Sequence, residues 1–318
     1  MARVTPHLSW IGRRLLLGLG QTAAVVLFIF ALTEALPGDA AVALAGDQPD
    51  PARIARIRGA MGLDRPAAER LADWVAGLLH GDLGTSLISG RPVTGYLAAG
   101  LGPTLLLAVA TLALLVPLSV GLGVLAARRE GGPLDRTVSA LTLAVHAVPE
   151  FAVGVLLATL FGLWLGWLPP TAVGVDVFTE PAVLILPVAV LLSRPVCTIS
   201  RLVRAGMIEA MASPYVAQAR RYGVSGTRIT WAHALPNALA PATQQLARTC
   251  DWLLSGVIVV EALFVIPGLG TVLIEAVAAR DLPVVQGMAV VFGTVTVAVN
   301  LAADLAARRF APRSEVAA

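Results

Sequence analysis

The class of fold is decided by one uncharged stretch, LAAGLGPTLLLAVATLALLVPLSVGLGVLAA, which occupies residues 97–127. A helix needs about 20 apolar residues to cross the hydrocarbon core of a bilayer, which is about 30 Å thick. Residues 97–127 exceed that length, and the whole chain is 57% hydrophobic and only 14% charged. A protein folding in water could not cover so much apolar surface. The stretch therefore predicts a membrane-spanning helix.

Further apolar stretches on either side of this one predict an all-α polytopic membrane protein with six transmembrane helices. The spans are expected at residues 15–36, 97–127, 137–162, 182–200, 238–266 and 283–307. They form one transmembrane domain over residues 1–318. The first span follows Arg13 and Arg14, a start that a cleaved signal peptide shares. Its uncharged core is longer than a usual signal core, so we interpret it as an uncleaved anchor.

The hydrophilic segment 37–95 separates the first two spans and contains an amphipathic run, Ala67–Leu79. Five apolar residues of this run fall on one helical face: Leu71, Trp74, Val75, Leu78 and Leu79. Such a helix either lies on the membrane surface or packs on the bundle.

All positive charge in the chain is arginine, and its distribution predicts the orientation. Arginines cluster in the N-terminal tail, after the second span, in segment 201–237 and in the C-terminal tail, which all fall on one side if there are six spans. Positively charged short loops are typical of the cytoplasmic side. Both termini and segment 201–237 are therefore expected in the cytoplasm, with segment 37–95 on the outside.

Several classes of function lack their sequence signals. No basic patch interleaved with aromatic residues indicates nucleic-acid binding. The four histidines are scattered without metal-ligand spacing, and His146 alone is a tempting nickel contact, although a packed histidine explains it as well. Cys197 and Cys250 lie in or beside apolar segments and are expected to pack as small hydrophobic residues. We find no catalytic motif, phosphate-binding loop or cofactor signature and predict neither enzyme activity nor a cofactor.

The polar segment 201–237 has an internal order that an ordinary loop does not need. A short amphipathic helix is expected at Pro214–Tyr222, stopped by Gly223, where a positive φ is accessible to glycine. Such a rigid knob suits docking into a groove on a soluble partner. The alternative is a solvated connection between two spans. Prolines at positions 117, 149 and 187 are expected to let the spans bend.

Motifs along nearly the whole chain resemble the permeases of dipeptide, oligopeptide and nickel ABC importers. Segment 217–236 fits the spacing of the "EAA" loop of such permeases, with Gly223, Leu235 and Pro236 at their expected places. The other matching pieces are ALPGDA (35–40), GLDRP (62–66), GDLGTS (81–86), VPEF (148–151), WLP (167–169), HALPNALAP (233–241), VVEALFVIPGLG (259–270) and RDLPVVQG (280–287).

This resemblance implies the type I importer fold in the bacterial inner membrane. In addition to the lipid bilayer, it implies four protein partners: a second homologous permease in the membrane, two cytoplasmic ATPases and an extracytoplasmic substrate-binding protein. The short helix would be the coupling helix that docks on an ATPase. The coupling residues would be Pro214, Tyr215, Ala217, Gln218, Ala219, Arg220, Gly223, His233, Leu235 and Pro236. The signature glutamate is replaced by Ala217, which puts a salt bridge to the ATPase in doubt.

Ionisable residues within spans are candidates for the translocation pathway, because burying them in a membrane is costly. Arg248 and Asp251 lie three residues apart on one helical face, and they either line the pathway or form a structural pair. Glu150 faces the pathway or reaches an interface. Glu261 precedes the sequence PGLG, which requires a tight turn, so a structural role is also open to it.

The sequence therefore predicts an ATP-driven, binding-protein-dependent importer permease for di- or oligopeptides or for a nickel or other metal chelate. A secondary transporter or channel is the alternative, but no inverted repeat supports it. A scaffold subunit without a conduction path would also carry a coupling loop.

Overall fold

The structure is a computed structural model, and it describes residues 5–35, 42, 50–60 and 62–310. Within these ranges the regular elements are helices, as expected for residues that satisfy their backbone hydrogen bonds inside a bilayer. The helices are α1 Thr5–Ala35, α2 Pro51–Ala60, α3 Ala67–Leu79, α4 Val93–Ala127, α5 Pro133–Ala147, α6 Glu150–Leu157, α7 Ile185–Ala212, α8 Pro214–Arg221, α9 Gly226–Arg228, α10 Leu235–Ala238, α11 Ala240–Phe264, α12 Leu269–Ala278 and α13 Leu282–Phe310. A π-helical turn, Ala158–Trp164, continues α6, and a 3₁₀ turn, Pro181–Leu184, precedes α7.

Four of the described helical segments are long and apolar enough to cross a membrane: 12–35, 93–127, 181–212 and 282–301. Two broken pairs, 133–147 with 150–164 and 256–264 with 269–278, raise the number of candidate spans to as many as six. The predicted all-α polytopic membrane class is therefore confirmed. The exact bounds of each span and the single domain over 1–318 stay predictions.

The chain divides into two compact units, of which the first comprises residues 1–102 and 267–301. Its α1 contacts α3, where the ring of Phe30 stacks on Trp74 with 6.1 Å between centroids. Arg70 of α3 also donates to Glu34 at 2.6 Å. The small buried core of this unit combines Val93, Leu269, Ala276, Val284 and Met288. Helix α3 therefore packs on α1, which supports the expectation that its apolar face contacts another helix.

One member of the predicted apolar face of α3 is not covered by the protein. Leu79 is 83% exposed, whereas Leu71, Trp74, Val75 and Leu78 are partly buried. Leu79 is the last residue of α3, and the chain turns away at once through His80 and Gly81, the latter with φ 80°. A residue at a helix end loses its neighbours on the following turn, so periodicity alone overestimates its burial.

A buried carboxylate anchors the segment before α4 in the first unit. Asp281 is 4% exposed and accepts hydrogen bonds from the Ser86 hydroxyl at 2.5 Å and from the Leu87 amide at 3.2 Å. These bonds join the GDLGTS and RDLP motifs, which are separated by almost 200 residues in sequence. The two motifs therefore form one structural contact.

The second unit comprises residues 103–266 and 302–318, and α7 lies at its centre. Buried residues of α7 contact α4, α5, α6, α10 and α11, and its innermost side chains are Val190, Leu191, Val203 and Met207. Gly123 of α4 permits a close approach to α7, because a Cβ at that position would lie 2.7 Å from the Ser200 carbonyl oxygen. The buried apolar residues of α7 thus form the centre of a large apolar core in this unit.

The third predicted span is broken rather than gently bent. Its halves, 133–147 and 150–164, form an angle of 104°. Pro149 lacks an N–H and disfavours a helical conformation in the preceding residue. Val148 is accordingly extended, with φ −84° and ψ 133°, and Pro149 serves as the N-cap of α6. The sequence predicted a bend at this proline, but the change of direction exceeds a right angle.

Two other prolines do not interrupt their helices, so the bends expected there are not helix breaks. Helix α4 is continuous through Pro117. Pro187 lies in the first turn of α7, where a backbone N–H has no intrahelical partner to lose.

Helix α7 continues to Ala212, beyond residue 200, where the fourth span is predicted to end. Arg201 and Arg204 therefore belong to a long helix, whereas we expected them in the polar segment 201–237. Arg204 is held inside the unit by Asp135 of α5, to which its Nε and Nη2 atoms donate at 2.5 and 2.7 Å. Helix α7 ends only where Pro214 forces Ser213 into an extended conformation, with ψ 152°.

The Asp135–Arg204 pair gives a first testable prediction. The Asp135 side chain is 4% exposed and also accepts a bond from the Gly131 amide. Replacing Arg204 with methionine leaves this carboxylate without its partner and should measurably lower the free energy of unfolding. Thermal unfolding of the detergent-purified protein measures the loss.

The double variant Asp135→Leu with Arg204→Met provides the control, since it removes both charges. It should recover most of the lost stability. Equal stability of the Arg204→Met variant and the wild type would show that the pair contributes nothing.

Candidate functional site

Helix α8 is a short helix attached to the second unit by one buried side chain. It begins at Pro214, whose missing N–H is harmless in the first turn, and it ends at Arg221. Val216 is completely buried, and Ala219, three residues later on the same face, is half-buried. The Gly223 amide donates to the Arg220 carbonyl at 3.0 Å, and Val224 donates to Ala219 at 3.1 Å. These bonds terminate the helix.

Gly223 is the residue that permits this termination. Its φ is 76°, in the left-handed region that residues with a Cβ rarely adopt. A Cβ built on Gly223 meets no atom within 4 Å, so the requirement for glycine comes from the backbone and not from crowding.

A hydrogen-bonded group holds the start of α8 against the returning chain. The Asn237 amide donates to the Tyr215 hydroxyl at 3.0 Å and to the His233 carbonyl at 2.9 Å. Leu235 beside them is 9% exposed, whereas Pro236 is exposed. Sequence reasoning missed Asn237, although it directly follows the Leu-Pro of the motif. The structure therefore brings Tyr215, His233 and Leu235 of the predicted coupling residues together.

The remaining predicted coupling residues form the outward surface of α8. Pro214, Ala217, Gln218 and Arg220 are exposed, and so are Arg221 and Tyr222 at the end of the helix. At the signature glutamate position, the methyl group of Ala217 offers no charge. This surface combines two arginines with an aromatic ring. It therefore offers positive charge and an apolar ring face to a binding partner.

Glu150 lies in the first turn of α6, directly after the break in the third span. Its side chain is partly buried, and its Oε1 atom is buried without a hydrogen-bond partner. The charge of Arg194 in α7 interacts electrostatically with Glu150. His146 precedes the break, and its Nδ1 atom is likewise buried and unpartnered. Glu150 therefore lies within a charged environment in the second unit.

Glu261 is fully buried in the second unit, and the Thr104 hydroxyl donates to it at 2.5 Å. Helix α11 ends three residues later at Phe264 and is capped by Val265, which has φ 54°. Burial and bonding favour the structural role for Glu261 over contact with a solute. Its place in the translocation pathway stays a prediction.

The proposed pair in the fifth span lies only partly within the described structure. Both residues belong to α11, and Arg248 is exposed. The side chain of Asp251 lies outside the described residues, so the pairing stays a prediction. Among the described side chains, no group of three or more His, Cys, Asp or Glu residues could hold a metal ion. Cys197 is buried and Cys250 is half-buried, both as free thiols.

These features define a class: a multi-pass membrane protein in which a long central helix leads into a short helix with an exposed outer surface. The chain belongs to the family described as binding-protein-dependent transport system inner membrane component. The model of that family matches residues 119–316, and the model of its N-terminal part matches residues 8–97. The protein is therefore a multi-pass component of the bacterial inner membrane.

Curated relatives cover most of the chain. A Brucella abortus (strain 2308) protein named for a peptide transport system permease is 36% identical over 286 residues, which are 88% of this chain and 90% of the relative. A Sinorhizobium fredii protein named for a peptide ABC transporter permease is 33% identical over 96% of this chain and 98% of its own length. The glutathione transport system permease protein of Pectobacterium atrosepticum is 35% identical over 91% of this chain and 94% of its own length.

Membership of this family implies partners for the chain. Such a permease operates in an ABC transporter together with an ATPase and a substrate-binding protein. The structure and the family thus agree with the sequence prediction of an importer permease.

Proposed function

We propose that the chain is the membrane-spanning subunit of an importer for short peptides. The names of the relatives, which refer to peptides and to the tripeptide glutathione, support this substrate class. Nickel, the other cargo considered from the sequence, has no support in those names.

The single observation that carries the proposal is the construction of α8. It is short, fixed to the second unit through Val216, and it follows directly on the membrane-spanning helix α7. A movement of a partner bound to α8 is therefore passed to a helix that packs against most of the unit. This is the arrangement expected of an element that couples a cytoplasmic ATPase to the membrane domain.

The proposed complex contains this chain, a second homologous permease, two cytoplasmic ATPases and an extracytoplasmic binding protein. Both termini and α8 face the cytoplasm, in keeping with the arginine distribution. ATP hydrolysis takes place in the ATPases, and this chain performs no covalent chemistry. Closure of the ATPases moves α8 and shifts the permease between inward-facing and outward-facing states, while the binding protein delivers the peptide outside.

Reconstitution of the complex in proteoliposomes tests the proposal. With the binding protein outside and ATP inside, a radiolabelled tripeptide should accumulate. Uptake should stop when ATP or the binding protein is left out. ATP-independent uptake by this chain alone would show a secondary transporter or channel and would refute the proposal, and so would a complex that imports no peptide.

A further inference from the structure

One face of α7 is polar although the helix crosses the membrane. Arg194, Thr198 and Arg201 are spaced by four and three residues, so they lie on the same helical face. Arg194 is exposed, and Thr198 and Arg201 are half-buried in the described chain. Other faces of the helix are buried in the apolar core through Val190, Leu191, Ile199, Val203 and Met207.

The break in the third span adds two further polar groups to this face. His146 lies in the last turn of α5 and Glu150 begins α6, and both helices pack on α7. Arg194 interacts electrostatically with both His146 and Glu150, and Arg201 interacts electrostatically with His146. His146, Glu150, Arg194, Thr198 and Arg201 therefore form one row in the second unit, which we call the polar row.

The polar row has hydrogen-bonding capacity that the unit itself does not use. Glu150 Oε1 and His146 Nδ1 are buried and have no partner. Arg194 and Arg201 take part in none of the ion pairs found among the described residues, and Arg201 Nε donates only to a backbone carbonyl, that of Cys197, at 3.3 Å. Buried polar atoms without partners are rare and cost stability, so an external polar group is expected to meet them.

Arg204, on the same helix, is an example of an arginine with a structural role. It lies one turn beyond Arg201, and its guanidinium makes two hydrogen bonds to the buried carboxylate of Asp135. The unit thus supplies a carboxylate where an arginine holds helices together. Among the described side chains, no carboxylate pairs with Arg201.

Resting on the proposed function, we propose that the polar row binds a short peptide in transit, with Arg201 holding its C-terminal carboxylate. Two arginines against one glutamate give the row an excess of positive charge, which favours an anionic group. A guanidinium matches a carboxylate with two parallel hydrogen bonds. Glu150, at the other end of the row, accepts hydrogen bonds from the peptide's ammonium group.

The length of the polar row fits this substrate. Arg194 and Arg201 lie seven residues apart on one helix, so their Cα atoms are separated by about 10 Å along its axis. An extended peptide covers about 3.4 Å per residue, and about three residues therefore match the row. Arg194 is the arginine whose charge affects Glu150, so we assign Glu150 to that end of the row.

The test compares trialanine with trialanine amide, which lacks the C-terminal charge, in proteoliposomes that contain the full complex. Both peptides are supplied at concentrations that saturate the binding protein, whose affinity for each is measured separately. Arg201→Gln should lower trialanine uptake about tenfold, the effect of one lost charge-assisted interaction, and should leave the slower uptake of the amide almost unchanged. Arg201→Lys, which keeps the charge, should restore part of the uptake.

Arg129→Gln is the matched control, because Arg129 is exposed in the turn after α4 and no ion pair of the described residues includes it. It should transport both peptides like the wild type. An equal loss for acid and amide in Arg201→Gln, or no loss, would overturn the carboxylate assignment. Failure of that variant to assemble with the second permease would also overturn it, by showing that Arg201 pairs with the partner subunit. Absence of peptide uptake by the wild type would instead refute the proposed function.

Discussion

Replacement of Gly223 by valine should abolish ATP-driven uptake and release the ATPase from the purified complex. The φ of 76° at Gly223 lies in a region that costs a residue with a Cβ about 1–2 kcal/mol, and a β-branched side chain fits it least well. The backbone around Gly223 must then change, and the bonds from Gly223 and Val224 to the last turn of α8 are lost. The exposed side chains of Arg221 and Tyr222 move with that turn.

Transport is expected to suffer far more than folding, because the strain is small and confined to an exposed segment. Copurification of the ATPase and uptake in proteoliposomes measure the two functional effects, and thermal unfolding in detergent measures stability. A loss of uptake by at least about tenfold requires only about 1.4 kcal/mol at the docking contact.

Two matched variants separate docking from strain. Gly223→Asn should be milder, since asparagine tolerates a left-handed conformation better than valine does. Gly131→Val introduces the same kind of strain elsewhere, because Gly131 has φ 70° and no neighbour within 4 Å of a built Cβ. It should keep the ATPase bound. Normal transport by Gly223→Val would disprove the docking role of α8.

Helix α8 was predictable because its limits depend on local chemistry. Pro214 can start a helix and Gly223 can end one, and both signals are present in the sequence itself. The observed helix Pro214–Arg221 is one residue shorter than predicted. The family motifs could also be recognised from the sequence, because each consists of consecutive residues.

The contact that holds the end of α7 was not predictable, because one of its partners lies far away in the sequence. Arg201 and Arg204 were assigned only to the polar segment that follows the fourth predicted span. Arg204 is instead stabilised by Asp135, 69 residues earlier in the chain. No periodicity within α7 reveals that partner.

Only part of the polar row was identified as a candidate site from the sequence. Glu150 was a candidate because a carboxylate within a span is costly. Arg194 lies inside the predicted fourth span but was not considered, and Arg201 lies just beyond the predicted end of that span. Pro149 indicated a bend, but a missing N–H does not determine an angle of 104° or the helix that the bend faces.

Gly123→Val should be the most destabilising single substitution among those considered, because α4 and α7 approach each other at that residue. A Cβ on Gly123 would lie 2.7 Å from both the Ser200 carbonyl oxygen and the Val203 Cβ. One of these atoms is backbone and the other begins a fully buried side chain, so neither can move without shifting α7. Overpacking of this kind costs about 3 kcal/mol, and a rigid backbone neighbour leaves little room for relief.

Gly121→Val is the matched control on the same helix, two residues earlier. A Cβ on Gly121 meets nothing within 4 Å, and valine has a higher helix propensity than glycine. Thermal unfolding should therefore show a clear loss for Gly123→Val and no loss for Gly121→Val. Because α7 continues almost directly into α8, the Gly123 variant that survives purification should also hold the ATPase poorly. Equal stability of the two variants would contradict the close packing of α4 on α7, and retained ATPase binding in a destabilised Gly123→Val variant would show that α8 is positioned independently of that packing.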